Sequence, residues 1–466
     1  MTERADLTQV AEQVNEVRGR QLPRYPAYKP SGVQWLDSIP EHWSVRRLKF
    51  IGDVRTSNVD KKSAEDEETV RLCNYIDVYH NEYITADIAF MTATATPEEI
   101  RRFHLHAGDV LITKDSEEWN DIAVPAFVDE PLDGVLCGYH LAQIRPIRGR
   151  MFGEYLFRAF ASRALREQFH VRANGITRFG LSRDAITSAW FPIPPKEEQA
   201  AITRFLRRET AEIDALIARK RRLIELLKEK RTALISHAVT KGLNPKAPMK
   251  PSGIDWLGDV PVHWEVLPLR RYSKFIQTGC TPPTGQREYY EQGTLPWYGP
   301  GSFSDDLALG EPTKLINMCA VQNGAARLFR ANSVLVVTIG ATVGKVGLLN
   351  DDASTNQQIT AVTVERRRVD GRFLAYQLKI REPVLRGTAP SNTLPILDQQ
   401  AIAAFPAVFP PISEQQRIVA YLDDQDVRLR TPLVKITRAI ELLQEHRSAL
   451  ISAAVAGKID VRGKVR

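Results

Sequence analysis

Lys29-Pro-Ser-Gly-Val-Gln-Trp-Leu36, continuing to Pro40-Glu-His-Trp-Ser-Val45, returns as Lys250-Pro-Ser-Gly-Ile-Asp-Trp-Leu257, continuing to Pro261-Val-His-Trp-Glu-Val266. Between positions 29–48 and 250–269, 11 of 20 residues are identical without a gap. A second pair repeats at nearly the same period: Ile224-Glu-Leu-Leu to Ala238-Val239 recurs as Ile440-Glu-Leu-Leu to Ala454-Val455, matching at 12 of 16 positions. The segments enclosed by these pairs hardly agree. A duplicated frame around two dissimilar inserts predicts one geometry used to recognise two different things.

The 466 residues suffice for two to four domains. Cys73, Cys137, Cys280 and Cys319 are scattered without a C-x-x-C pair, and read as reduced core residues of a cytoplasmic protein. The opening Met-Thr-Glu-Arg-Ala-Asp lacks the apolar core of a signal peptide, and no apolar run approaches membrane-spanning length, so no membrane partner is expected. The net charge of +7 permits a polyanion partner without demanding one.

Outward from the repeats, five segments follow: an extension over 1–28, a mixed α/β domain over 29–192, a helix over 193–242, a strand-rich domain over 243–408, and a second helix over 409–466. In the first domain Val110-Leu-Ile-Thr and Val135-Leu-Cys read as strands, and 152–169 has helical periodicity. In the second domain the β-branched runs beginning at Ser333 and Ile359 read as strands.

Pro194-Pro195, with Glu197 and Glu198 in the following turn, opens the first long helix. Its apolar residues Ile202, Leu206, Ile213, Leu216, Leu223, Leu227 and Leu234 fall at alternating four- and three-residue steps, a coiled-coil seam. Forty-five residues would span roughly 65 Å. The second helix repeats the seam with Ile418, Leu422, Leu429, Ile436, Leu443 and Leu450, behind a capping box of Ser413 and Gln416. Pro432 stands where the first helix has Leu216, which predicts a kink or a restart capped by Thr431. The economical arrangement pairs the two rods antiparallel with a globular domain at each end.

Catalytic motifs fail on inspection. Gly340-Ala-Thr-Val-Gly-Lys-Val is one residue short of a phosphate loop and has valine where the metal-binding hydroxyl belongs, so it reads as a turn between strands. His104 and His106 lack nearby Cys or acidic partners for a metal, and Asp115, Glu117 and Glu118 lack the spaced lysine and carboxylate of a nuclease. No metal site, catalytic residue or cofactor is expected in this chain.

What remains is a loop population suited to DNA. In the first domain the candidates are Lys114, Asn120, Arg172, Asn174, Thr177 and Arg178; in the second they are Lys345, Gln357, Arg386 and Asn392. Tyr289-Tyr290 and Trp297-Tyr298 are aromatic companions. Arg and Lys pair with guanine edges or phosphates, Asn and Gln with adenine edges.

With these residues in view, the chain resembles the specificity (S) subunit of a Type I restriction-modification system along nearly its whole length. The resemblance is carried by Tyr25-Pro-Ala-Tyr-Lys-Pro-Ser-Gly-Val-Gln-Trp-Leu, Ile39-Pro-Glu-His-Trp, Gly108-Asp-Val-Leu-Ile, Gly340-Ala-Thr-Val-Gly-Lys-Val and Asn356-Gln-Gln. Pro194-Pro-Lys-Glu-Glu-Gln, Pro410-Pro-Ile-Ser-Glu-Gln-Gln and Arg447-Ser-Ala-Leu-Ile-Ser-Ala-Ala-Val belong to the same set. Each piece is weak; their order, duplicated at one period, is specific.

The resemblance implies an α+β fold with two globular α/β target recognition domains in pseudo-two-fold symmetry. Two long antiparallel helices would separate them as a coiled-coil spacer. It implies a non-catalytic subunit that reads a bipartite, asymmetric double-stranded DNA target. Two methyltransferase (M) subunits and two motor-nuclease (R) subunits would be the partners, and would carry the S-adenosylmethionine, ATP and Mg2+. Trp35 and Trp256 are candidates for docking surfaces or for core, and the run Arg219-Lys-Arg-Arg222 reads as a solvated helix face. The alternative is a coiled-coil adaptor joining two protein partners without reading DNA.

Overall fold

A computed structural model describes residues 22–389 and 395–464. The chain forms two compact units, residues 1–220 with 437–466 and residues 221–436. Each unit therefore contains one insert and a portion of each long helix.

In the first unit a five-stranded sheet is built from β1 (Gly52–Thr56), β2 (Tyr83–Ile84), β3 (Val110–Thr113), β4 (Pro125–Val128) and β5 (Leu141–Pro146), in the order β1-β5-β3-β4-β2. β4 runs parallel to β2; the other neighbours are antiparallel. All four residues of β3 are buried, as befits a strand covered on both faces. Val110 and Ile112 face the helices α2 (Gly153–Ala161) and α3 (Arg163–His170), sharing a core with Tyr155, Leu156 and Phe160. Leu111 belongs to the opposite core, with Leu72, Leu136 and Val128 from the other side of the sheet. The helix expected over 152–169 is two helices, because Ser162 takes an extended conformation (ψ 125°) and ends the first.

The second unit repeats the plan with four strands: β6 (Ser273–Thr278), β7 (Val334–Val337), β8 (Val346–Leu348) and β9 (Ile359–Val364), in the order β6-β9-β7-β8. Val334 and Val336 pack toward α4 (Gly371–Lys379) and α5 (Glu382–Thr388), Leu335 and Val337 away from them. The turn expected at 340–346 joins β7 to β8. A three-stranded sheet backs the main one in each unit, centred on Glu68–Cys73 in the first and on Leu295–Tyr298 in the second.

The repeated sequence forms the same small scaffold twice. Tyr28–Pro30 pairs with Ser38–Pro40, and Met249–Pro251 with Asp259–Pro261. Ser44–Arg47 then pairs with Trp190–Ile193, and Glu265–Pro268 with Pro406–Phe409. The core tryptophans are Trp43 and Trp264, both fully buried, whereas Trp35 is half-buried and Trp256 is 40 % exposed. Each buried indole meets the left-handed glycine that ends a long helix, Gly457 against Trp43 and Gly242 against Trp264. A side chain at either glycine would strain the backbone and crowd the ring at 3.1–3.2 Å, and at Gly457 it would collide with Pro40.

Both rods are present, Lys196–Lys241 and Ile412–Val455. In the second unit they run antiparallel: Arg231 meets Asp426 at 2.7 Å, while Leu234 and Ile235 line one cleft with Leu422 and Leu429. In the first unit Arg447 reaches Asp214 at 2.9 Å. The inward face departs from the expected seam at two places. Leu216 and Leu223 are 41 % and 45 % exposed, while Ile217 is buried and Ile224 half-buried in their stead. The persistent row is Ile202, Ile213, Ile224 and Ile235, matched by Ile418, Leu429, Ile440 and Ile451. This is an eleven-residue period. In a straight helix seven residues fall about 20° short of two turns and eleven pass three turns by about 20°. The drift per residue is thus about 3° for the heptad and about 2° for the eleven-residue repeat, and a strict seven-residue reading walks off the buried face sooner.

Pro432 neither breaks nor restarts the second rod, which is helical from residue 412 to 455. Thr431 is no cap; its hydroxyl bonds back to the Val427 carbonyl at 3.3 Å. Ser413 likewise lies inside the first turn. The junction is tied instead by Gln415, which donates to the Pro410 and Arg368 carbonyls and accepts from Asp370 N–H. Gln199 makes the corresponding bonds to the Pro194 and Arg150 carbonyls and to Phe152 N–H.

Candidate nucleic-acid interface

The antiparallel registers place particular loops together at one end of each sheet. Thr56 of β1, Ala142 and Leu141 of β5, Thr113 of β3 and Pro125 of β4 lie at the same end. In the second unit Thr278, Thr360 and Ile359, Val337 and Val346 do so. The candidates after β3 and β7, and those before β5 and β9, therefore gather at these ends.

Backbone hydrogen bonds show that the two ends are built alike. Lys114 N–H donates to the His140 carbonyl and Lys114 O accepts from Leu181 N–H; Thr338 stands likewise between Gln358 and Leu397. Gly138 N–H donates to Cys73 O, as Asn356 N–H does to Tyr298 O. Ser182 and Asp398 then cap equivalent helices through Ala185 and Ala401 N–H. Equivalent backbone positions thus carry Lys114 and Thr338, Tyr139 and Gln357, His140 and Gln358. The frame is shared and the presented chemistry is not.

At the first end, Lys114 Nζ stands 4.7 Å from the Tyr139 ring centre, and Tyr139 is half-exposed. Asp115 Oδ2 lies 3.0 Å from His140 Nδ1, with Arg178 Nη2 3.3 Å from the same nitrogen. Asn174 and Gly180 exchange both backbone hydrogen bonds, closing a hairpin whose tip residue Ile176 is 96 % exposed. Gly175, at φ 151°, is required there because a side chain would run into the Arg178 carbonyl. Asn120, Asn174, Thr177 and Arg178 are exposed. Arg172 is engaged internally, bonded to the Ser188 hydroxyl and the Ala185 carbonyl, so it anchors the hairpin's base.

At the second end Gln357 is exposed, its side-chain oxygen accepting from the Thr281 hydroxyl. Buried Asn356 orients Gln358 through Nδ2 to Oε1, 2.9 Å, and accepts Gln358 N–H in return. Arg386 is exposed on α5, which packs against Gly344, and half-buried Lys345 lies 3.5 Å from the Phe303 carbonyl. Asn392 lies outside the described residues. Of the aromatic companions, Tyr289 and Trp297 are buried in a local core with Leu295 and Ile316, where Trp297 Nε1 donates to Cys280 O. They support the face instead of forming it.

Sequence reading missed one contributor. Tyr75–His80 (α1) stacks Tyr75 on Tyr79 at 5.5 Å. Burial pushes the Tyr75 phenol up, against the pull of a bond to Ser116, and the Asp121 carboxylate beside Tyr79 pushes that phenol up. Both stay protonated donors near neutral pH. The signal was legible: Asn74 and Asp77 form a capping box ahead of two tyrosines four residues apart.

Each end can thus offer donors and acceptors, cations and flat rings to a base-edge and phosphate surface, with no catalytic grouping required. Among the described residues no three His, Cys, Asp or Glu side chains lie together as a metal site. His104 and His106 serve instead the ion pair of Arg145 with buried Asp109. No described helix is long and apolar enough to cross a membrane.

The family model for the Type I restriction modification DNA specificity domain matches residues 40–226 and again 261–440. The chain is 22 % identical over 438 residues to the putative type I restriction enzyme MjaX specificity subunit of Methanocaldococcus jannaschii, covering 92 % of this chain and 96 % of that one. It is 27 % identical over 172 residues to the type I restriction enzyme EcoR124I/EcoR124II specificity subunit of Escherichia coli, covering 36 % of this chain and 42 % of that one. Among solved structures, a chain from a study of complex assembly and conformational transition of the type I R-M system aligns at a TM-score of 0.63 and 20 % identity. That alignment covers 90 % of this chain and 98 % of the other, and so shows the same fold. With two matched copies spanning most of its length, the chain belongs to the family of Type I restriction modification DNA specificity proteins, as a specificity subunit concerned with DNA target recognition.

Proposed function

We propose that the two strand-end faces read the two halves of a bipartite, asymmetric double-stranded DNA target, and that the chain has no catalytic activity of its own. Residues 29–192 and 243–408 are the two target recognition domains in this reading, and the long helices set the unread gap between half-sites. The observation that carries it is the pair of equivalent backbone frames bearing unrelated side chains, Lys114, Tyr139 and His140 against Thr338, Gln357 and Gln358. A geometry kept while its surface chemistry changes fits two readers of different sequences.

The duplicated scaffold supplies two similar docking surfaces for two copies of one methyltransferase subunit. Trp256 favours such a surface: its exposed ring stacks on Phe405 at 5.6 Å and lies under Arg381 at 4.9 Å. Two motor-nuclease subunits complete the assembly. S-adenosylmethionine, ATP and Mg2+ belong to those partners in a cytoplasmic complex. Mapping methylated adenines in a host with and without this gene, its methyltransferase partner present in both, tests the reading. A split motif methylated only with the gene supports it; no gene-dependent motif refutes it.

A further inference from the structure

A cavity of about 690 Å³ opens in the first unit at the sheet end opposite the proposed DNA face. His106, Gly108 and Asp109 line it before β3, Arg145 and Pro146 at the end of β5, and Arg148, Met151, Phe152 and Lys196 beyond. Its charge is unbalanced. Asp109 is buried and fully engaged by Arg145 Nε (2.9 Å) and Nη2 (2.8 Å), Gln143 Nε2 (2.7 Å) and His106 N–H (2.9 Å). It neutralises Arg145 and leaves nothing over for Arg148 and Lys196, both exposed. The remaining wall is small or apolar, and Phe152 is 44 % exposed.

The duplicated frame provides an internal control. The second unit has Ser333 and Thr363 hydrogen-bonded at 3.0 Å in place of Asp109 and Arg145. Ile412 replaces Lys196 and Asp370 replaces Phe152. Of the arginines there, Arg366, in place of Arg148, is bonded to the Ala331 carbonyl, Arg330, in place of His106, is paired with Asp352 at 2.6 Å, and Arg367, in place of Gly149, is exposed. The combination of Lys196, Arg148 and the exposed Phe152 ring is therefore a property of the first unit and not of the scaffold. A partner that docks on both copies of the scaffold does not account for it; a ligand taken once per chain does.

We propose that this pocket binds one nucleotide-sized phosphate monoester per chain, with Arg148 and Lys196 holding the phosphate and Phe152 packing against the flat base. Two spare cations match a phosphate dianion better than a single carboxylate, and the volume lies within the usual range for small-molecule sites. The assignment does not depend on the DNA-reading proposal.

The test is calorimetry on the purified full-length chain, without DNA, using AMP, adenosine and inorganic phosphate as probes. AMP is expected to bind once per chain, with adenosine and phosphate each at least about tenfold weaker. The double substitution R148E/K196E, at exposed positions, should weaken AMP at least about tenfold with an unchanged melting temperature, while R148K/K196R retains it. No saturable AMP binding up to about 1 mM, or binding indifferent to R148E/K196E, overturns the proposal. Displacement of AMP by a short random-sequence duplex also overturns it, by making the DNA backbone the occupant.

Discussion

Glu198 accepts a hydrogen bond from Trp43 Nε1 at 2.9 Å, a tie that Trp264 Nε1 does not repeat in the duplicated scaffold. Both carboxylates meet a histidine of the repeat, Glu198 with His42 at 2.6 Å and Glu414 with His263 at 2.8 Å. Glu198 also accepts from Tyr25 at 3.2 Å and faces Arg462 at 3.6 Å. Trp264 Nε1 is buried without a hydrogen-bond partner.

Glu198→Ala is accordingly expected to destabilise the first unit by about 2–4 kcal/mol, because it orphans a buried indole N–H and a phenol together. Glu414→Ala breaks a half-exposed pair and should cost about 0–1 kcal/mol. Denaturant melts of the two variants check this; equal losses would show that the extra ties to Glu198 contribute nothing.

The first unit should also lose stability on mild acidification. Burial holds both His104 and His170 below the ordinary histidine value of 6.5, with His106 and Arg166 respectively adding to the effect. In the unfolded chain they titrate near that value, so as pH falls through about 6.5 the unfolded state takes up protons first. Stability present at pH 7 is lost on the way to the depressed folded values and changes no further below them. Replacing both by asparagine should flatten the slope between about pH 7 and 5.5. A wild-type melting temperature that rises over that window would contradict the assignment.

Thiol labelling should divide the cysteines into two classes. Cys73 and Cys137 are buried and burial pushes both thiols up, whereas Cys280 and Cys319 are partly accessible. Iodoacetamide on the folded chain is expected to modify Cys280 and Cys319 and to spare the other pair until denaturant is added. Peptide mapping that finds Cys73 or Cys137 modified first would place the core of the first unit wrongly.

The spacer hypothesis now carries a specific length. Inserting eleven residues into each long helix keeps the Ile202–Ile213–Ile224–Ile235 row on one face, so the unread gap should lengthen with both half-sites unaltered. A nine-residue insertion, about two and a half turns, carries that row to the opposite face and should bind more weakly. Half-sites that change after the eleven-residue insertion would show that the helices are not the ruler.

Much of this was legible because it was duplicated. Two copies of Pro-x-His-Trp and of Ala-Leu-Ile-Ser mark the scaffold and the rod ends, and β3 and β9 announce themselves by β-branched content. Reading failed where local and tertiary preferences conflict. Leu216 and Leu223 satisfy a heptad, yet Ile217 and Ile224 lie on the face that a straight helix turns inward. Pro432 breaks the helix by propensity, but the turns flanking it carry buried Leu429 and half-buried Leu433, which hold the rod together. Arg172 and Trp297 looked like DNA-facing residues because composition cannot distinguish a side chain that supports a loop from one that the loop presents.

The central claim is that each strand-end face reads its own half of the target independently. The direct measurement is sequence enrichment from a random duplex pool by the chain with its methyltransferase partner, comparing wild type with K114A/N120A/R178A. The account predicts that the variant relaxes or changes one half-site, and leaves the other half and the gap intact. Simultaneous change in both halves, or no split motif from the wild type, would contradict it.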